Sequence, residues 1–124
     1  MVKQNINISE VFWSVSNLKF ADDVLSSGLG LKKELSGKNF NIYLLPNKTK
    51  IIAFDEKDSE CKLHDSCLKL STSKVSILSA YKIFKKLGYH CYLTKSPKYN
   101  LVTLSCFAPS PNRFCEVNIS NTQD

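Results

Sequence analysis

Cys61, His64 and Cys67 form a Cys-x-x-His-x-x-Cys run, a compact group of side chains that could suggest zinc. Zinc takes four protein ligands in structural sites and three in catalytic ones. No fourth ligand follows nearby in the sequence, and on a strand the side that His64 shares with its neighbours depends on register. Two histidines in all, His64 and His90, leave little for acid–base catalysis, and neither stands beside a recognisable nucleophile motif. No glycine-rich phosphate loop, Walker-type run or dinucleotide fingerprint occurs. Chemistry, if present, must come from residues that the fold brings together.

The 124 residues, 43% hydrophobic, suffice for one well-buried core and are too few for two independent ones, which predicts a single domain over 1–124. Apolar runs such as 42–45 and 51–54 are far too short to span a bilayer, and nothing reads as a secretory signal, so a cytoplasmic protein is expected. The five cysteines (Cys61, Cys67, Cys91, Cys106, Cys115) are odd in number and fall mostly in strand-like runs, where reduced, buried thiols are expected. The net charge of +6 is carried almost entirely by the second half. Lys82, Lys85, Lys86, Lys95 and Lys98 could serve a basic nucleic-acid or protein interaction surface. Without an arginine cluster or an aromatic-interleaved RNA motif, they read better as solvated faces, and nucleic acid is not the expected partner.

The elements that must position any site are announced by a repeat. Phe20-Ala21-Asp22-Asp23-Val24-Leu25 followed by Leu29-Gly30-Leu31 returns as Ser79-Ala80-Tyr81-Lys82-Ile83-Phe84 followed by Leu87-Gly88-Tyr89, just under half the chain later. Val11, Trp13 and Val15 alternate with more polar neighbours, as in a strand with one face on a core. Asn17 then caps a helix that Gly28 and Gly30 end. Strands are expected over 31–35, 40–45 and 50–55, with a turn at Pro46-Asn47-Lys48 and a polar connector over 56–62. The second copy opens with Leu68 and Leu70, passes a polar turn over 71–76, and enters a helix lined by Ile77, Ala80, Ile83, Phe84 and Leu87. Strands over 89–94, 101–107 and 114–119 complete it. Each half is β-α-β-β-β, over about 6–58 and 63–120, and the fold class is α+β.

A tandem β-α-β-β-β repeat of this length, with Leu-Gly-aliphatic or Leu-Gly-aromatic after each helix, resembles the vicinal oxygen chelate superfamily, which includes glyoxalase I, bleomycin-resistance proteins and extradiol dioxygenases. The segment from Phe107 to Glu116 has the spacing of that family's closing hairpin, Phe-x-Asp-Pro-Asp-Gly-Asn-x-x-Glu, with its end residues kept and its turn replaced. The resemblance implies a curved mixed sheet with helices on its outer side, a homodimer, and ligand clefts. In metal-using members a ligand opens the first strand of each copy and a Glu stands in the last strand of each. Carried onto this chain, these positions fall on Glu10, on His64 or Asp65, on Ala53 and on Glu116. A methyl group at Ala53 cannot coordinate, so a metal is not expected. Were one present, Glu10, Asp65 and Glu116 would form an all-oxygen trio suited to magnesium or manganese.

If Val11, Trp13 and Val15 face the helices, Glu10, Phe12 and Ser14 face the cleft. The same parity exposes Asp65, Cys67 and Lys69 in copy two, and Phe114, Glu116 and Asn118 in the last strand. Phe107 joins this set, and Tyr43 and Tyr92 are further candidates. Glu10, Phe12, Ser14, Cys67, Lys69, Phe107, Phe114 and Glu116 are thus the expected ligand-binding residues. The expected function is non-catalytic binding of a small organic molecule, anionic or neutral given the basic chain. A metal-dependent lyase, transferase or dioxygenase with a degenerate site is the alternative, and a basic interaction module the third reading.

Overall fold

The computed structural model describes residues 8–55, 66–109 and 115–121. The first copy comprises β1 (Glu10–Val15), α1 (Leu18–Asp22) running directly into a π-helical segment (Asp23–Gly28), β2 (Lys32–Ser36), β3 (Phe40–Leu44) and β4 (Lys50–Asp55). The second comprises β5 (Ser66–Thr72), α2 (Lys74–Lys86), β6 (His90–Ser96), a short 3-10 turn (Pro97–Tyr99), β7 (Leu101–Phe107) and β8 (Cys115–Asn121). Both copies build the same four-stranded mixed sheet, ordered β1-β4-β3-β2 and β5-β8-β7-β6. In each, the first strand lies parallel to the last, and the remaining neighbours are antiparallel. The fold is α+β, built of tandem β-α-β-β-β modules. No helix among the described residues is long and apolar enough to cross a membrane.

Capping chemistry sets where the helices begin. Asn17 Oδ1 accepts from the Phe20 amide at 2.7 Å, and Ser73 Oγ from the Ser76 amide at 3.2 Å, each satisfying an amide the first helical turn leaves free. The polar stretch 71–76 is therefore not the expected turn. Ser71 and Thr72 continue β5 opposite Ser120 and Asn121, Ser73 is the cap, and the helix starts at Lys74. Serine and threonine hydroxyls suit a turn, a strand and a cap alike, so composition alone could not separate these roles. At the other ends Gly30 and Gly88, at φ +71° and +87°, take the left-handed conformation that stops both helices.

The two copies share one buried cluster. Trp13, Val15, Phe20, Val24 and Leu25 from the first half join Ile77, Ala80, Phe84, Leu104, Val117 and Ile119 from the second. Gly28 marks a close approach between the halves: a Cβ there would stand 2.3 Å from Phe84 Cε1, so only glycine lets the ring seat against this turn. The Phe20 and Tyr89 rings meet edge to face with centroids 5.3 Å apart, and the Tyr89 hydroxyl donates to Asp23 Oδ2 at 2.5 Å. At the strand level, Ser66 Oγ donates to the Ser14 carbonyl at 2.6 Å, tying the start of β5 to the end of β1.

Candidate functional site

Strict alternation along each strand gives each sheet one helix-covered face and one open face. On β1, Trp13 and Val15 are buried while Phe12 is 66% exposed, so Glu10, Phe12 and Ser14 stand on the open side. The parallel register with β4 pairs Glu10 with Lys50, Phe12 with Ile52 and Ser14 with Phe54, carrying Lys50, Ile52 and Phe54 to the same side. From β3 come Phe40, Ile42 and Leu44, opposite Phe54, Ile52 and Lys50. The Phe12 and Phe54 rings meet edge to face at 6.4 Å. The open face of the first sheet is thus mostly apolar and aromatic, with charge gathered at one end, where Lys50 Nζ lies 3.4 Å from Glu34 Oε2.

Two expectations fail here. Ala53 is fully buried and pairs with Trp13, so it faces the helices and not the open side. The open-side residues of β4 are Lys50, Ile52 and Phe54, and the residue level with Glu10 is a lysine. The segment Ile51-Ile52-Ala53-Phe54 is apolar on both faces, so its parity could not be read from composition. Tyr43 is likewise fully buried on the helix side. Its hydroxyl donates to Asp22 Oδ1 at 3.0 Å and accepts from Asn41 Nδ2 at 3.2 Å, while Ser36 Oγ donates to Asn41 Oδ1 at 2.8 Å. Burial, with the nearby Asp22 carboxylate, drives the Tyr43 phenol well above its usual range, so this polar chain stays neutral at Tyr43.

The open face of the second sheet has another character. In the row nearest the start of β5, register aligns Cys67, Glu116, Phe107 and His90 across the four strands. The next row holds Lys69, Asn118, Ser105 and Tyr92, and Asn118 Nδ2 donates to Ser105 Oγ at 3.0 Å. His90, Tyr92 and Phe107 form an aromatic cluster, with His90 and Tyr92 centroids 4.8 Å apart and Tyr92 and Phe107 5.9 Å apart. Partial desolvation raises the Cys67 thiol, and the adjacent Glu116 carboxylate raises it further. A hollow of about 490 Å³ opens where β6 begins and β7 ends, lined by Leu87, Tyr89, His90 and Phe107 among others.

The structure thus brings Glu10, Phe12 and Ser14 to one open face, and Cys67, Lys69, Phe107 and Glu116 to the other. Tyr92 lies with the second group. Phe114, Cys61, His64 and Asp65 lie outside the described residues. His90 was not among the expected site residues. Its pairing opposite Phe107 was legible only once the β6–β7 register was known. Among the described residues, no three His, Cys, Asp or Glu side chains converge closely enough to hold a metal ion, and Lys50 puts a cation level with Glu10. A lysine level with Glu10 is a poor neighbour for a metal ion at that position. Lys82, Lys85 and Lys86 line α2, away from both open faces, with Lys85 Nζ 5.9 Å from the Tyr81 ring centre and Lys98 Nζ 5.4 Å from that of Tyr99. Lys95 borders a hollow of about 290 Å³ with Lys74 and Leu78.

A third hollow, about 520 Å³, lies at the junction of the two copies, where Val11, Ile51, Leu68 and Leu70 supply mainly apolar walls. Lys69, on the open side of β5, also lines it.

This architecture recurs among solved structures. The chain is similar to a lactoylglutathione lyase from Agrobacterium tumefaciens (TM-score 0.69, 13% identity, 96% of each chain covered). It is similar to an oxidase, ChaP-H1 (TM-score 0.72, 8% identity, 96% of this chain and 98% of that one). It is also similar to a glyoxalase/bleomycin resistance protein/dioxygenase from Nocardioides (TM-score 0.57, 15% identity, 99% and 89% covered). No family sequence model and no curated protein sequence matches the chain, so the likeness resides in the backbone. The chain has the vicinal oxygen chelate fold, the class that the repeat and the parallel first-to-last strand pairing define.

Proposed function

We propose that the protein binds a small organic molecule, anionic or neutral, between its open sheet faces and performs no metal-dependent chemistry on it. The observation that carries this reading is the pairing of aromatic side chains with a few polar groups on helix-free sheet: Phe12 and Phe54 on one face, and His90, Tyr92 and Phe107 beside Cys67, Lys69 and Glu116 on the other. Aromatic walls with sparse polar groups are the composition of small-molecule sites. The cation of Lys50 level with Glu10 disfavours a bound metal and favours a ligand carrying negative charge or none. The same proposal makes the protein cytoplasmic and homodimeric, a second copy covering part of the exposed Phe12 and Leu35 surface.

Thermal melting in the presence of planar organic acids and neutral aromatics tests the reading, because a ligand that binds only the folded state raises the melting temperature. Stabilisation by members of this set that is lost in Phe107→Ala and Phe12→Ala supports it. Stabilisation retained in both variants, or none from any compound, refutes it. Metal analysis of purified protein supplies the second arm. Stoichiometric metal that disappears in Glu116→Gln would replace the binding reading with the metal-dependent enzyme.

A further inference from the structure

β6 is an edge strand, and its antiparallel register with β7 sets Cys91 directly opposite Cys106. Directly opposed residues of an antiparallel pair have Cα atoms about 4.5–5.5 Å apart, inside the roughly 4.4–6.8 Å that a disulfide spans. Both side chains point to the helix side, Cys91 4% exposed and Cys106 fully buried, and the Cys91 thiol donates to the Tyr89 carbonyl at 3.7 Å. The other described cysteines are not so placed: Cys67 opposes Glu116 and Cys115 opposes Ser66, on opposite faces of the sheet. The neighbours of the thiol pair in sequence, His90 and Phe107, line the 490 Å³ hollow that opens at the ends of these two strands.

We propose that Cys91 and Cys106 are a peroxide-oxidisable pair that closes to a cross-strand disulfide and thereby fixes the two strands presenting His90, Tyr92 and Phe107 to ligand. Its regulatory half rests on the binding reading above. The oxidant is hydrogen peroxide, close to water in size. The Cys91 sulfur attacks one peroxide oxygen, the O–O bond breaks, and the departing hydroxide takes the Cys91 proton as water, leaving a sulfenic acid. The Cys106 sulfur then attacks the Cys91 sulfur. The S–O bond breaks, and the second hydroxide leaves with the Cys106 proton. Two thiols lose two electrons in all, and one peroxide becomes two waters. Cys91 is the attacking thiol because burial raises it but the Lys85 ammonium partly offsets that, whereas burial pushes Cys106 up to about 12. Protonated thiols react slowly, so closure speeds up as pH rises.

Peptide mapping of the full chain after peroxide treatment, with alkylation of remaining thiols in denaturant, tests the proposal. Trypsin places Cys91 in residues 87–95, Cys106 in 99–113 and Cys115 in 114–124. The expected product is the first of these peptides joined to the second, lighter than their sum by two hydrogens, and restored by a thiol reductant. Full alkylation of both cysteines after oxidation of Cys67, or linkage of either to Cys67 or Cys115, overturns it. In Cys106→Ser, checked for native circular dichroism, Cys91 should be trapped as its sulfenic acid by a dimedone reagent. If that variant does not fold, the wild-type map alone decides. Titrating a stabilising aromatic into oxidised and reduced protein reads the regulation: a several-fold change in affinity supports it, and equal affinity refutes it. If no aromatic binds either form while the linked peptide appears, the disulfide stands and the binding reading falls.

Discussion

Gly28→Ala is the sharpest probe of how the two copies are joined. The added Cβ would lie 2.3 Å from Phe84 Cε1 and 2.7 Å from Phe84 Cζ, far inside contact distance, against a ring that is fully buried. Overpacking of this kind costs about 1–3 kcal/mol. Alanine returns about 0.5–1 kcal/mol through its better helical propensity. The net expectation is a loss of about 1–2 kcal/mol, or about 4–8 °C in melting temperature for a chain of this size. Phe84→Leu alone should cost about 1–2 kcal/mol through the space it leaves. In the double variant the shorter side chain removes the atoms that the new methyl meets, so the two losses should not sum. A favourable coupling of about 1 kcal/mol or more is expected, read by urea denaturation of all four proteins as a double-mutant cycle. Additivity within about 0.5 kcal/mol would refute the claim that Gly28 exists to admit Phe84.

Alkaline stability provides the second prediction. Burial pushes Cys106 up to about 12 from an ordinary 9.0, so above pH 9 the unfolded chain releases a proton that the folded one retains. Stability contributed by that thiol is complete below pH 9 and is lost as pH rises toward 12, at about 1.4 kcal/mol per pH unit. Tyr43 and Tyr89, also raised by burial, add to the decline above pH 10. Melts between pH 8 and 11 should fall steadily, and Cys106→Ala should fall less steeply; equal slopes would contradict the assignment. Tyr89→Phe removes the hydroxyl bonded to Asp23 across the two copies and should cost about 1–3 kcal/mol by chemical denaturation, because Asp23 is mostly buried and, among the described residues, is left with its 2.8 Å ion pair to Lys19.

How much of this was legible beforehand depends on whether a strand has one covered face or two apolar ones. On β1, polar residues alternate with Val11, Trp13 and Val15, and the open-side placement of Phe12 follows from the sequence. The repeat itself was equally visible, through the glycines at Gly30 and Gly88 that end both helices. On β3 the simple pattern misleads. Phe40, Ile42 and Leu44 look like the core side, yet they lie on the open face while Asn41 and Tyr43 are buried. Hydrogen bonds among Ser36, Asn41, Tyr43 and Asp22 satisfy the buried polar atoms, and two of those partners, Ser36 and Asp22, come from other elements, β2 and α1. On β4 the same ambiguity displaced the supposed coordinating position onto Ala53. The π-helical segment Asp23–Gly28 left no compositional trace, since its extra residue per turn changes spacing and not residue type. His90 entered the aromatic cluster only through a strand register that no local pattern encodes.

The notch at Gly28 has a consequence for the history of the chain. Because one repeat seats a phenylalanine from the other, removing either half would lay bare a greasy surface on the half that remains. Divergence is then free only where the halves do not touch. That is where they differ most: one exposed sheet surface oily, the other rich in hydroxyls and amides.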